Sequence, residues 1–490
     1  MNNTEKFFLV SFILSCIFIF LRLEIVFGDD LHAPFTDDFY YYLTTARNTI
    51  ELGVVSFDQE NLTNGFQPLW FLIILSLKFI FSNEILLNII IIFVIFILCF
   101  FTYKNLNKYL VEIGFSTDKA NFISIFCSFL SLFFSKNGME IGLAIFLFSL
   151  SILYLNKNIF IFSVLSFLTF LSRLEFIFLY SIIISHELLI KKKISSSYLI
   201  KLSTFPFLLS LYILINLYFF QLPFPESGIA KSLFNDLKFN LETFEFLKVN
   251  SYGMKFISVL FLFNIFSFFL LFIKNTHVLT KIFLMTVIIF FITNSLRSPW
   301  PLWTWHFFFL ALSTPFIFFE IFRILNLKGI SILTNLISIF FVVIYFFLFI
   351  DNLHAKSDHI QNIAKKIDKY YSERKYEKFA MGDMAGKTSY LLNKKLYQLE
   401  GLTSGVKMIE FIKKEKNLCK VLIDLDIEVY FASKITSKNG VILIEEPSGN
   451  SKNLKKMRGY LRIKPANIFK SGNIKVYAFE IKSENDCFFN

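Results

Sequence analysis

The chain has 490 residues, of which 55% are hydrophobic and only 18% are charged, and its mean hydropathy is +0.59. This composition excludes an ordinary soluble domain and is typical of a membrane protein with several spans. The formal net charge of +12 does not indicate nucleic-acid binding, because the lysines lie mostly between apolar runs or in the last third of the chain, where membrane topology places them.

Long apolar runs recur along the first 350 residues. A span needs about 20 apolar residues, and the pattern predicts about eleven spans, with boundaries good to a few residues. They are expected at roughly 7–27, 84–103, 118–134, 139–155, 158–172, 174–190, 198–220, 253–273, 279–296, 303–323 and 329–350. The first run is not followed by a small-residue cleavage site, so we interpret it as a retained span and not as a signal peptide.

Basic residues between the runs predict the orientation. With the N-terminus inside, the loops predicted inside carry Lys104, Lys108, Lys119, Lys157, Lys191, Lys192, Lys193, Lys274, Lys281, Arg323 and Lys328. The first loop (residues 28–66) is predicted outside. Its one basic residue is Arg47, and its acidic residues are Asp29, Asp30, Asp37, Asp38, Glu51, Asp58 and Glu60. This alternation requires the apolar segment 67–82 to be an interfacial or re-entrant helix and not a full span.

After residue 350 the composition changes to Lys, Glu, Asp and Asn, with no further apolar run. Residues 1–350 are therefore predicted to be the membrane domain and residues 351–490 a small extracytoplasmic α/β domain. The patterns predict strands at Lys378–Met381, Val421–Ile427, Val441–Glu445 and Ile474–Ile481, and helices at Ser357–Tyr371 and Val406–Lys416.

The five cysteines fall into two groups. Cys16, Cys99 and Cys127 lie inside apolar runs and are expected to be small core residues. Cys419 and Cys487 lie in the polar tail and can pair if the tail is extracytoplasmic; no metal-binding spacing is present.

The segment from Asp37 to Trp70 concentrates polar and aromatic groups. A loop that only joins two spans needs none of them, so their density indicates a site. Asp37 and Asp38 are neighbouring carboxylates that can act as a general base or hold a divalent cation; the alternative is a helix N-cap that also marks topology.

Amides and ring faces beside a carboxylate suit a sugar, because they offer hydroxyl partners and a stacking surface. An interfacial aromatic belt is the alternative explanation for the consecutive tyrosines. The candidate substrate-binding residues of this segment are Tyr41, Arg47, Asn64, Gln67 and Trp70.

Further charged residues map to the same membrane face. Glu140 lies in SKNGMEIGL, with a helix cap as the alternative, and Arg173 and Glu175 interrupt an apolar stretch in FLSRLEF. An Arg–Glu pair inside a membrane is costly, so it is either a structural ion pair or part of a ligand site. We favour the ligand site, because arginine binds phosphate with two parallel hydrogen bonds.

Two later segments add candidates at this face. Lys231 in PFPESGIAKS complements an anionic head group, with an ordinary surface lysine as the alternative. Arg297 and His306 lie in RSPWPLWTWH. Arg297 is a second candidate phosphate contact, whereas a lone histidine here is more often an interfacial residue than a catalyst. The sequence has no Walker, dinucleotide-binding, zinc-protease, C-x-x-C or G-x-S-x-G motif.

These segments resemble a known family. DDFYYYLTTARN followed by FDQENLTNGFQPLW resembles the first extracytoplasmic loop of bacterial GT-C class membrane glycosyltransferases, and it is similar in looser form to arabinofuranosyltransferase-like and mannosyltransferase-like groups. Leu62 stands where that pattern has proline and Gln67 where it has histidine, which argues against an acid–base role at position 67. NGMEIGL, LSRLEFIFL, FPESGIAKS and the tail segments MGDMAGKTSYLL and LYQLEGL resemble further family motifs, scattered over residues 30–403.

The resemblance implies a GT-C-like polytopic α-helical protein of a bacterial plasma membrane, and the lysine distribution predicts a cytoplasmic N-terminus. The resemblance also implies transfer of a sugar from a polyprenyl-phosphate-linked donor to a glycan, glycolipid or protein acceptor at the outer face. Asp37 or Asp38 would deprotonate the acceptor hydroxyl, and the lipid phosphate would leave with inversion. Arg173, Lys231 and Arg297 would neutralise that phosphate, and Glu140 would position the donor or a cation.

Metal use differs within that class, so a divalent cation (Mg or Mn) held by Asp37, Asp38 and Glu140 stays an open alternative. A transporter or flippase of an anionic lipid-linked substrate is the alternative function, because intramembrane Arg and Glu fit it too. We find no internal repeat of the kind that transporters show. A structural membrane protein whose tail binds partners is the third alternative.

Overall fold

The computed structural model describes residues 3–27, 35–190, 195–326, 329–354, 359–438 and 440–488. The predictions that concern Asp29, Asp30, Lys191, Lys192, Lys193, Lys328 and Ser357 lie outside these residues.

The first part of the chain is helical, as its apolar runs predict. Its helices, which we call the helical bundle, are α1 (Asn3–Phe27), α2 (Asp37–Leu52), α3 (Pro68–Ile80), α4 (Glu84–Glu112), α5 (Thr117–Ser135), α6 (Ile141–Tyr154), α7 (Ile159–Ser172), α8 (Phe176–Ile190), α9 (Ser196–Leu202), α10 (Thr204–Phe220), α11 (Glu226–Lys231), α12 (Tyr252–Phe266), α13 (Val278–Arg297), α14 (Phe308–Ile324) and α15 (Ile330–His354). Short 3-10 turns lie at Leu241–Lys248, Ser267–Leu271 and Thr304–Phe307.

The number of spans differs from the eleven predicted. Within the described ranges, seven helical segments are long and apolar enough to cross a membrane: Asn3–Leu21, Glu84–Glu112, Ser196–Phe220, Tyr252–Leu271, Val278–Arg297, Thr304–Ile324 and Ile330–Phe349. Helices α6, α7 and α8 are apolar but have only 14, 14 and 15 residues. Because a helix rises about 1.5 Å per residue, each falls short of a hydrocarbon core of about 30 Å. The segment 67–82 forms α3, which with 13 residues is shorter still.

Aromatic side chains fill the core of the helical bundle. Phe129 of α5 stacks on Phe341 of α15, with ring centroids 5.0 Å apart, and the Tyr345 hydroxyl donates to the Phe129 carbonyl. Cys99 and Cys127 are buried and unpaired, as their apolar surroundings predict. Buried serines donate to carbonyls one turn back, as Ser131 does to Cys127. Several hydroxyls inside the apolar core are thus satisfied within their own helices, whereas Ser128 donates to the Cys99 carbonyl of a neighbouring helix.

Residues 359–488 form a region of helices and two sheets, which we call the C-terminal α/β region. In chain order it contains α16 (His359–Tyr371), β1 (Lys378–Met381), α17 (Ala385–Leu392), β2 (Lys395–Gln398), α18 (Gly405–Lys413), α19 (Leu418–Asp424), β3 (Val429–Ala432), β4 (Ile435–Lys438), β5 (Val441–Glu446), β6 (Met457–Leu461), β7 (Asn467–Ser471), β8 (Ile474–Glu480) and β9 (Cys487–Phe488).

The larger sheet has the order β2-β1-β3-β8-β7 and the smaller one β4-β5-β6-β9. Strand β1 pairs in parallel with both β2 and β3, with Phe379 opposite Leu396 and Val429. The remaining pairs of the larger sheet are antiparallel. Since polar groups at the carboxyl ends of parallel strands meet at one edge, the residues that follow β1 and β2 share one edge of this sheet.

Most tail predictions are confirmed, and one is wrong. Strands occur at Lys378–Met381, Val441–Glu446 and Ile474–Glu480, and helices at His359–Tyr371 and Gly405–Lys413. The segment Val421–Ile427, predicted as a strand, instead belongs largely to helix α19. The Asn417 side chain caps this helix by accepting from the Lys420 N–H, and its buried residues recur at helical spacing.

Cys419 of α19 and Cys487 of β9 form a disulfide, with Cα atoms 5.9 Å apart. The pairing that the sequence left conditional is therefore present. The disulfide links β9, the edge strand of the smaller sheet, covalently to α19.

Candidate functional site

Helix α2 brings the two aspartates of the first loop to one end of the helical bundle. Thr36 precedes the helix in an extended conformation, Asp37 and Asp38 occupy its first turn, and Gly53 ends it with φ 72°. Carboxylates are favoured there because the helix dipole is positive at its N-terminus. Successive residues on a helix are turned by about 100° from each other, so the two carboxylates point in different directions.

Asp37 contacts the C-terminal α/β region. Its carboxylate accepts hydrogen bonds from the backbone N–H of Lys387 at 2.7 Å and of Gly386 at 3.2 Å. Burial raises the pKa of Asp37 to about 7, although the Lys387 N–H acts in the opposite direction. Asp37 therefore has its oxygens directed at a helix N-terminus.

Asp38 is half-buried, and its carboxylate makes no hydrogen bond to any residue that the structure describes. Burial raises the pKa of Asp38; among nearby charges, Lys231 has the largest effect and lowers it, and Asp383 and Glu140 raise it. A general base requires a carboxylate that can accept a proton from the substrate and whose pKa is raised.

Glu140, Arg173 and Glu175 form an ion triad in which Glu140 and Arg173 are buried and Glu175 is half-buried. An Arg173 terminal nitrogen donates to Glu140, and the other donates to Glu175 at 3.0 Å. Glu140 also accepts from the Tyr42 hydroxyl at 3.2 Å, and Arg173 lies over the Phe308 ring. Both terminal nitrogens of Arg173 are thus engaged by carboxylates, and Glu140 links the start of α6 to α2.

Gln67 connects this triad to the first loop. Its backbone N–H donates to the Tyr42 hydroxyl, and its side-chain oxygen accepts from the Leu174 N–H at 3.3 Å. Trp70 is fully buried, and its indole N–H donates to the Gly138 carbonyl at 3.1 Å. The described contacts of these two residues hold α3 against neighbouring loops.

Asn64 holds the segment that carries Lys231. Its amide donates to Asn216 at 2.7 Å and its oxygen accepts from the Glu226 N–H at 3.0 Å. The Thr63 hydroxyl donates to the Glu226 carboxylate. These bonds fix the start of the short helix α11, whose last residue is Lys231. Lys231 is half-buried, and its ammonium makes no hydrogen bond or ion pair with a described residue.

His306 and Arg297 differ in their placement. His306 is buried, with its Nδ1 bonded to the Trp303 backbone, and it lies within electrostatic range of Lys231 and Arg173. Arg297 is exposed at the end of α13 and has no ion pair or hydrogen bond within the described ranges. Electrostatic interactions therefore group Asp38, Glu140, Arg173, Lys231 and His306 in one neighbourhood, and no described interaction links Arg297 to it.

Tyr41 and Arg47 face the C-terminal α/β region. The Tyr41 ring packs on Phe57 and belongs to the same buried cluster as Met384 and Ala385. Arg47 donates to the backbone carbonyls of Tyr390 at 2.9 Å and Ser389 at 3.4 Å.

Sequence reasoning missed three acids of the C-terminal α/β region. Asp383 follows β1, Glu400 follows β2, and Glu446 ends β5. Burial raises the pKa of each, to about 8 for Glu446, and the three interact with one another. Asp383 and Glu400 also lie within electrostatic range of Asp38. Their signal was present in MGDMAGK and YQLEG, where an acid follows a buried strand, but only the fold shows that both strands end at the same edge.

The described residues contain no group of three or more His, Cys, Asp or Glu side chains that could hold a metal ion. Glu140 is paired with Arg173 and Asp37 with backbone amides, so the open alternative of a cation on Asp37, Asp38 and Glu140 has no ready-made site among them.

The fold is similar to that of ArnT from Cupriavidus metallidurans, a GT-C glycosyltransferase solved bound to undecaprenyl phosphate. The TM-score is 0.56 at 9% sequence identity, and the match covers 94% of this chain and 98% of that chain. Protein-family models give no match to the sequence, and the curated proteins give none either. The likeness confirms the GT-C-like membrane fold with a C-terminal sheet region that the sequence predicted.

Proposed function

We propose that this protein is a membrane glycosyltransferase that moves a sugar from a polyprenyl-phosphate-linked donor to a cell-envelope acceptor. The fold shared with ArnT, which was solved with undecaprenyl phosphate, supports this class. The observation that carries the proposal is Asp38, a half-buried carboxylate with no described hydrogen-bond partner, within electrostatic range of the half-buried Lys231.

In the proposed reaction Asp38 accepts the proton of the acceptor hydroxyl. The hydroxyl oxygen bonds to the anomeric carbon of the donor, and the bond from that carbon to the phosphate oxygen breaks on the opposite face, with inversion. Its electron pair stays on the lipid phosphate, and no covalent intermediate with the protein forms. No step of the proposal uses a cation or another cofactor.

Lys231 would stabilise the charge that grows on the departing phosphate, which is a transition-state role. Arg173 is the second candidate, but its terminal nitrogens already bind Glu140 and Glu175, so it would first have to exchange a carboxylate for the phosphate. Tyr41, Gln67 and His306 remain proposed substrate contacts around this centre.

We place the site on the extracytoplasmic side of a bacterial inner membrane. The lysine distribution supports this orientation. The disulfide between Cys419 and Cys487 supports it independently, because disulfides persist in oxidising compartments.

The test uses the purified full-length protein with undecaprenyl-phosphate-linked sugars and cell-envelope acceptors. Asp38→Asn should lower sugar transfer by at least about a hundredfold, the contribution of a general base, while binding of undecaprenyl phosphate persists. Asp236→Asn, an exposed acid, is the matched control and should transfer normally.

Equal transfer by Asp38→Asn and the wild type would remove the proposed base. Absence of undecaprenyl phosphate binding would remove the donor class. Movement of the lipid across liposome membranes without sugar transfer would establish the transporter alternative instead.

A further inference from the structure

The N-terminus of helix α17 in the C-terminal α/β region is not capped by the residue that precedes the helix. The residue before it, Met384, is in the left-handed conformation with φ 67° and offers no capping hydrogen bond. The first N–H groups of a helix have no acceptor within the helix. Here the Asp37 carboxylate accepts from the second and third residues, Gly386 and Lys387, so the cap comes from a residue 350 positions away.

The other end of α17 is also held by α2. The Arg47 guanidinium donates to the carbonyls of Ser389 and Tyr390 and lies 5.4 Å from the centroid of the Tyr390 ring. A cation at the C-terminal end and an anion at the N-terminal end both match the helix dipole. Arg47 is buried, so its charge is compensated by these carbonyls and this ring.

The contact between the two helices requires a glycine. A Cβ atom at Gly386 would lie 2.3 Å from the Asp37 carbonyl oxygen, a distance at which the backbones would have to separate. Gly386 therefore lets α17 approach α2 closely enough for the Asp37 carboxylate to reach its amides.

The position of α17 determines where Asp383 lies, because Asp383 is two residues before the helix. Its carboxylate accepts from the Met384 N–H, and it lies within electrostatic range of Asp38. We propose that Asp37 and Arg47 are positioning residues that hold α17, and with it Asp383, against Asp38, so that the C-terminal α/β region completes the transfer site. This inference rests on the proposed function only for its activity readout.

The test compares capping variants of the full-length protein. Asparagine caps a helix about as well as aspartate, whereas alanine does not. Asp37→Ala should lower kcat for sugar transfer by about fivefold, and Asp37→Asn should restore most of that loss. Gly386→Ala should mimic Asp37→Ala without changing any charge. Gly253→Ala, whose added Cβ would have no neighbour nearer than 3.9 Å, is the matched control and should behave as wild type.

Hydrogen–deuterium exchange gives a readout that does not depend on catalysis. In Asp37→Ala and Gly386→Ala the peptide Met384–Leu392 should exchange faster, with the Tm of the protein and the exchange of β8 unchanged. Arg47→Met should have the same local effect at the C-terminal end of α17. Asp38→Asn should leave this exchange as in the wild type.

The outcomes separate the two proposals. Wild-type exchange in Asp37→Ala would overturn the positioning role whatever the activity shows. Faster exchange with unchanged kcat would show that α17 is held by Asp37 but is not part of the transfer site, which also overturns the inference. Loss of activity in Asp37→Asn as severe as in Asp38→Asn, with normal exchange, would make Asp37 a catalytic residue instead. The exchange outcomes do not depend on Asp38 being the base, whereas the kcat outcomes also require the proposed transfer activity.

Discussion

The two sides of the neighbourhood around Asp38 differ in the sign and the pairing of their charged side chains. On the side of the helical bundle, Arg173 pairs with both Glu140 and Glu175, and Lys231 adds a positive charge. On the side of the C-terminal α/β region, Asp383, Glu400 and Glu446 interact with one another, and burial raises the pKa of each. The first side is suited to an anionic leaving group, and the second raises the basicity of the carboxylate between them.

This difference separates the roles of Asp37 and Asp38, which are adjacent and chemically identical in the sequence. Asp37 and Asp38 share a helical turn, but the first is bonded to amides of α17 and the second lies within electrostatic range of Lys231. A carboxylate that caps a helix is not free to take a proton from an acceptor hydroxyl. The following substitutions test this division of the site, in order of decreasing expected effect.

Arg173→Met should have the largest effect on stability. It leaves Glu140, which is fully buried, and Glu175 without their shared cation, and breaking a buried ion pair from one side costs about 3–5 kcal/mol. Chemical unfolding in detergent measures the change. Arg297→Met, at an exposed position, is the control and should lie within about 0.5 kcal/mol of the wild type. An Arg173→Met variant as stable as the wild type would show that the ion triad does not stabilise the helical bundle.

Lys231→Met should lower kcat for sugar transfer by about a hundredfold, the loss expected when one group that stabilises transition-state charge is removed. Lys231→Arg should keep most of the activity, because it retains the positive charge. Lys238→Met, at an exposed lysine, is the control. Full activity of Lys231→Met would show that a different cation, with Arg173 as the first candidate, stabilises the departing phosphate.

Asp383→Asn should shift the pH dependence of transfer. The charges that face Asp38 are Lys231 and Arg173, which lower its pKa, and Asp383 and Glu140, which raise it; Asp37 and Glu400 also interact with it, as does the Tyr41 hydroxyl. Removing the negative charge of Asp383 lowers the pKa of Asp38.

Transfer rises with pH as the base deprotonates, so in Asp383→Asn the acidic limb of the kcat profile should move to lower pH. Asp424→Asn, an exposed acid on α19, should leave the limb in place. A limb that does not move, or that moves to higher pH, would contradict the placement of Asp383 beside the base.

Glu446→Gln should have the smallest effect at neutral pH. Burial raises the pKa of Glu446 to about 8, so the folded protein holds a proton there at pH 7 that the unfolded chain has released. The stability of the wild type should therefore fall as pH rises from about 4.5 to about 8. Glu446→Gln should remove this part of the slope and be the more stable variant above pH 8. Thermal unfolding across this pH range measures both, and an unchanged slope would contradict the buried neutral state.

The sequence predicted the architecture well where local pattern is sufficient. The apolar runs gave the helices of the bundle, and alternating or buried runs gave β1, β5 and β8. The strand predicted at Val421–Ile427 became helix α19, because a short apolar run fits either structure until its cap and burial are known. The count of spans also exceeded the seven long apolar helices, since composition alone does not give the length of a helix such as α7.

For the candidate site, residue type was predictable and most partnerships were not. The sequence named an Arg173–Glu175 ion pair as one alternative, and the structure forms it. It did not predict that Glu140, 33 positions before Arg173, joins the same arginine. Asp383 and Glu400 lie in tail segments that resemble family motifs, but they were not singled out as site residues because the sequence does not show that they lie close together. They become notable only because β1 and β2 are parallel neighbours, which brings both acids to one edge.

The sequence by itself determined that this is a membrane protein with a polar, acid-rich first loop and a C-terminal α/β region. Those properties follow from hydrophobicity and periodicity, which act over a few residues at a time. Only the tertiary structure decided that Asp37 caps α17 and that Asp38 lies within electrostatic range of Lys231. The physical reason is that a hydrogen bond or an ion pair depends on distance in space, and the cap on α17 joins residues 350 positions apart.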